Sequence, residues 1–148
     1  MNQTDNKKIL IIHGPNLNLL GIKTKHTNQH LTLEKLNRHF RKSAQSLNIK
    51  VKIIQTNDEA KAIKIIQSSR RKINGIILLP GPWQKSGHCL SDTLMILAIP
   101  FVTISSGEKV NILLGIKNFH NSSMYTSAKE ALIYFDRCVT KPSHQIAT

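Results

Sequence analysis

Acid is scarce in this sequence. Eight Asp and Glu stand against 21 Lys and Arg in 148 residues, a formal net charge of +13 with a pI near 10.1. Such a field draws anions, and by itself it does not choose among small carboxylates, phosphates, nucleic acid and acidic lipid. Aromatic side chains make up only 5%, so the stacking platforms on which single-strand binders lay bases are few. Cys89 and Cys138 are the only cysteines. Two so far apart form neither a CxxC pair nor a zinc signature, and reduced thiols in a cytoplasmic protein are the expected state. No apolar run approaches the roughly 18 residues of a membrane span. The opening "MNQTDNKK" lacks the apolar core of a signal peptide. No metal, no cofactor and no membrane partner is expected.

What is present is a regular alternation of strand and helix patterns. "KILIIHG" (8–14) is a continuous apolar run closed by glycine, the pattern of a strand buried on both faces. A polar loop follows to about residue 30. "TLEKLNRHFRKSAQSLN" (32–48) repeats apolar residues at three and four and opens on Thr32, a good N-cap. "IKVKIIQTN" (49–57) is a strand. "DEAKAIKIIQSSRRK" (58–72) is a helix with acids in its first turn and cations in its last, as the macrodipole favours. "GIILLPG" (75–81) is a strand, "CLSDTLMILAI" (89–99) a helix and "PFVTISSG" (100–107) a strand. "VNILLGI" (110–116) is expected as a fifth strand and "SAKEALIYFDRC" (127–138) as the last helix.

The expected fold is therefore a single α/β domain over residues 1–148. It is a flavodoxin-like three-layer sandwich with a five-stranded parallel sheet and helices on both faces. Loose tails are expected at 1–7 and 139–148. In such sheets ligands collect beyond the carboxyl ends of the strands, where strand order reverses. Here those ends are His13–Asn16, Gln55–Asn57, Leu79–Pro82 and Thr103–Gly107.

"HGPNLNLLG" (13–21) followed by "TLEKL" (32–36), "QTNDEA" (55–60), "LLPGPWQKSGHCLSD" (78–92) and "IPFVTIS" (99–105) occur in order and at spacing. In these motifs the chain resembles the type II 3-dehydroquinate dehydratase family of the shikimate pathway, over about residues 8–108. The resemblance implies a lyase that removes water from 3-dehydroquinate through an enolate. A tyrosinate beside an arginine takes the proton, and a histidine protonates the departing hydroxyl. It also implies a homo-oligomer built on trimers.

Carried over position by position, the resemblance implies a depleted site. Lys23 stands at the loop arginine, Asn28 at the tyrosine, Leu79 at an asparagine, Lys85 at a substrate-binding histidine, Thr103 at a glutamate and Ser105 at the general-acid histidine. Asn16 and Asp92 are retained. "SSGEKV" (105–110) runs straight into "NILLGI", so the family's closing loop, with its arginine and its contacts for a dodecamer, has no counterpart. An asparagine amide has no lone pair basic enough to act as a general base near neutral pH. Losing one acid or base typically costs about 10²–10⁴ in rate.

Three functional expectations follow. The first is a catalytically degenerate family member, a pseudoenzyme, with a small-anion pocket at Asn16, Lys23, Lys85, Asp92, Ser105 and Ser106. The second is an active dehydratase with a rebuilt site. The third is a basic nucleic-acid or ribonucleoprotein-associated module. His13, at the mouth of the site, is expected to be structural, and His26 and His30 to be solvated loop residues.

Overall fold

The structure is a computed structural model that describes residues 6–138. Five parallel strands, β1 (Lys8–His13), β2 (Lys50–Gln55), β3 (Gly75–Leu79), β4 (Phe101–Ile104) and β5 (Lys117–Phe119), form one sheet in the order β2-β1-β3-β4-β5. The flavodoxin-like α/β sandwich expected from the sequence is the fold observed.

Alternation along the central strands explains the three layers. Ile9 and Ile11 face one side, with Leu36, Phe40, Ala131 and Phe135 of α2 (Leu33–Ser46) and α6 (Met124–Cys138). Leu10 and Ile12 face the other, with Ala62, Ile66, Leu90 and Leu94 of α3 (Glu59–Ser69) and α5 (His88–Leu97). β1 and β3 are covered on both faces, so they read as unbroken apolar runs. Gly75 opens β3 because the Phe135 ring lies where any Cβ would stand.

Helix starts follow their caps. The Thr32 hydroxyl accepts from Lys35 N–H at 3.1 Å and begins α2. Asp58 Oδ1 accepts from Ala60 N–H at 3.0 Å and begins α3. Glu59 then reaches across to accept from Leu90 N–H at 2.9 Å, placing a carboxylate at the positive end of α5.

The fifth strand lies later than the sequence suggests. "VNILLGI" is not a strand; β5 is the polar "KNF" at 117–119. Residues 105–116 form the parallel crossover from β4, a connection that needs about a dozen residues. Its apolar character serves one buried side chain, Leu113, which enters the α3–α5 core, while Leu114 and Ile116 are exposed. The strand itself is polar because it is an edge with one neighbour. Two short helices also interrupt expected loops, α1 (Leu20–Lys23) and α4 (Trp83–Ser86).

Lys7 belongs to the segment expected to be loose. Its carbonyl accepts from Lys50 N–H, and its ammonium donates to the Phe135 and Asp136 carbonyls at the end of α6. The rest of the expected tails, 1–5 and 139–148, lies outside the described residues. Among the described residues no helix is long and apolar enough to cross a membrane.

Candidate functional site

Strand order reverses at β1, and the loops beyond the carboxyl ends of β1, β3, β4 and β5 enclose two adjoining clefts. The first, of about 990 Å³, lies between the segment 20–31 and the segments after β4 and β5, with Lys23, Asn28, Ser105, Ser106, Glu108 and His120 in its walls. The second, of about 780 Å³, lies between β3's exit and the crossover and includes Lys85. Lys23, Glu108 and Lys109 border both.

Local chemistry builds each wall. Thr24 closes the loop that carries Asn28: its hydroxyl is 2.7 Å from the Leu31 carbonyl and accepts from Leu31 N–H at 2.9 Å. Asn28 stands exposed near the loop's tip. Lys23 ends α1 and its ammonium donates to the Ser106 carbonyl at 3.0 Å, which ties the two walls together. The turn after β4 is held by its own side chains. Ser105 Oγ donates to the Glu108 carbonyl and accepts from Gly107 N–H. Glu108 Oε2 accepts from both N–H and Oγ of Ser106, at 3.1 and 3.0 Å. Glu108 Oε1 is sealed from water with no hydrogen-bond donor.

Gln84, which the sequence did not single out, anchors the crossover. It is buried, with Nε2 donating to the Leu113 carbonyl at 2.9 Å. Its Oε1 accepts from Asn111 and Leu113 N–H at 3.0 and 2.9 Å. It stands in for a neighbouring strand. A polar residue in a one-turn helix has no periodicity to mark it as buried. Glu108 carries no sequence signal beyond its place two residues after Ser106.

The residues expected to form one pocket divide. Lys23, Asn28, Ser105 and Ser106 meet in the first cleft, and Lys85 joins Lys23 in the second. Asn16 and Asp92 line neither. Asn16 has a left-handed backbone, φ 71°, and its N–H donates to Asn57 Oδ1 at 3.2 Å. Asn57 also accepts from Gln55, which bridges to the Gly14 carbonyl, so these residues fix the turn after β1. Asp92 is exposed on α5. Leu79 is in the core, and Thr103 is buried with its hydroxyl on Asn118 Oδ1 at 2.6 Å.

His13 is fully buried. Its Nε2 lies 2.7 Å from Asn37 Oδ1, its ring packs edge-on to Phe40, and Nδ1 has no partner. Burial lowers its pKa to about 4, against the smaller opposing effect of the Asn37 bond. The ring is therefore neutral near pH 7 and faces no cleft. His26 and His30 are exposed, and His30 Nε2 lies 3.1 Å from the Gly21 carbonyl. Among the described residues no cluster of His, Cys, Asp and Glu could hold a metal ion.

The clefts can attract an anion through lysine point charges and offer hydroxyl and amide groups to it. Residues 7–134 match the pattern of the family Dehydroquinase class II. A 3-dehydroquinate dehydratase of Buchnera aphidicola subsp. Acyrthosiphon pisum is 40% identical over 100 residues, 68% of this chain and 67% of that one. A 3-dehydroquinate dehydratase of Caldanaerobacter subterraneus is 28% identical over 127 residues, 86% and 83% of the two chains. The crystal structure of a type II dehydroquinase from Butyrivibrio crossotus superposes with a TM-score of 0.72 at 25% identity, covering 86% of this chain and 98% of that one.

Proposed function

The chain belongs to the class II dehydroquinase family, and from that premise we propose that it has kept the family architecture, lost the dehydration chemistry, and binds a small anion in its two clefts. One observation carries this reading. The positions that the resemblance gives to the base and the acid hold Asn28 and Ser105, and both lie in the wall of the first cleft. Neither exchanges a proton near neutral pH. Ser105 is further committed to the turn through Glu108 and Gly107. The buried histidine nearest to β1's exit, His13, is bonded to Asn37 and lines neither cleft. What remains is cationic: Lys23, Lys85 and Lys109 around a single carboxylate, Glu108.

The other reading, an active dehydratase with a rebuilt site, has its own support. A relative 40% identical is named 3-dehydroquinate dehydratase, and His120 stands in the wall of the first cleft, an imidazole of the kind general acid–base catalysis uses. Genetic complementation separates the two. In a cell lacking its own dehydroquinase and given no aromatic amino acids, a well-expressed copy of this chain is expected not to restore growth; growth would favour the rebuilt site. A trimer-based homo-oligomer and a cytoplasmic location complete the proposal. Exposed Met95 and Ile96 on α5, and Leu114 and Ile116 on the crossover bonded to α5 through Ser91, are apolar side chains that a subunit contact would cover.

A further inference from the structure

The clefts account for few of the cations. A second group gathers at the opposite pole, where the strands begin. Lys8 and Lys50 are register partners at the starts of β1 and β2, about 5 Å apart as adjacent strands require. Lys7 joins them through its carbonyl bond with Lys50 N–H. Arg70, Arg71 and Lys72 follow the end of α3 and lead to Asn74, whose side chain and N–H both bond the Lys8 backbone, at 2.8 and 2.7 Å. These hydrogen bonds make the six cations one surface. Carbonyls at helix ends hold two of them in place, Lys7 on Phe135 and Asp136, and Arg70 on Gln67. A carbonyl orients a cation without cancelling its charge.

The acids lie elsewhere. Glu34, Asp58 and Glu59 open α2 and α3, and Glu108 follows β4, all at the carboxyl end of the sheet. Among the described residues Asp136 meets the group through its backbone carbonyl, which accepts from Lys7, and Arg137 follows it in sequence. Among the described residues the one ion pair, Glu34–Arg38, is in α2. Among the described residues the acids at the strand ends thus sit mostly with the clefts, and the starts of the strands carry an excess of cations.

We infer that this pole is a docking surface for the sugar–phosphate backbone of duplex nucleic acid, read without base contacts. Five of the six, all but the half-buried Lys7, are exposed, and a group of exposed cations matches a line of phosphates. None of the exposed large apolar side chains among the described residues is aromatic, which removes the stacking that single strands use. None of the exposed large apolar side chains lies in these segments, so nothing there enters a lipid layer.

The test is fluorescence anisotropy with the whole chain and a labelled mixed-sequence duplex of about 20 base pairs, titrated with salt from about 50 mM upward. The variant Arg70→Ser/Arg71→Ser/Lys72→Ser is compared with Lys25→Ser/Lys35→Ser/Lys61→Ser, which removes equal charge from other exposed positions. The inference expects the first variant to lose about tenfold or more in affinity and to lower the salt slope by about two to three, with less than about a threefold loss for the second. Equal losses in both variants would overturn it, since net charge alone would then explain binding. Absence of saturable binding at low salt, or binding to phosphatidylserine vesicles but not to the duplex, would overturn it as well.

Discussion

Replacing His13 with asparagine separates a buried imidazole from every other titrating group in the molecule. The folded pKa of His13 is about 4, against about 6.5 in an unfolded chain. The folded protein thus binds fewer protons than the unfolded one between these values, and stability rises with pH across that window. It is fully present above about pH 6.5, falls as pH drops toward 4, and has no further loss below. The gap of about 2.5 units corresponds to about 3 kcal/mol. Asparagine does not titrate. Urea unfolding can be followed through the lone tryptophan, Trp83, which is buried. Measured from about pH 7.5 to about pH 4, the stability of the natural chain is expected to fall by about 3 kcal/mol more than that of His13→Asn. Parallel curves would refute the argument, because they would mean that the ring is solvated or already charged in the fold.

Other substitutions probe the core and the walls of the clefts. Gln84→Leu strands the buried N–H and carbonyl of Leu113 and the part-buried N–H of Asn111, so it is expected to cost about 3 kcal/mol, seen as a Tm lower by about 10 °C. Gly75→Ala pushes a methyl into the Phe135 ring and is expected to destabilise by about 1–3 kcal/mol, with the smaller Phe135→Leu partly restoring the double variant in a thermal melt. Lys23→Met and Lys85→Met are each expected to weaken phosphate binding about tenfold, or about 1.4 kcal/mol, by calorimetry. Glu108→Gln removes the one carboxylate among these lysines and is expected to strengthen that binding.

The layers and strand positions were legible because buried parallel strands leave unbroken apolar runs, as in Ile9–Ile12 and Ile76–Leu79. Thr32 and Asp58 marked helix starts by chemistry that acts within four residues. β5 was missed because a three-residue edge strand with one apolar side chain, Phe119, carries no hydrophobic pattern, while the crossover ahead of it does. The division of the expected pocket had a similar cause. Asn16 and Asp92 lie a few residues in sequence from the cleft residues Leu20 and Lys85, but a left-handed turn and the exposed face of α5 take them elsewhere. Gln84 makes contacts that depend on the crossover's path, which no local pattern records.

The central claim is that this fold retains a cleft without the groups that dehydrate 3-dehydroquinate. Product formation by the purified chain tests it directly, followed by the absorbance of the conjugated product against a buffer blank and an ordinary family enzyme. The account expects a rate at background, given that a single missing acid or base already costs about 10²–10⁴. A rate within about tenfold of the ordinary enzyme would contradict it.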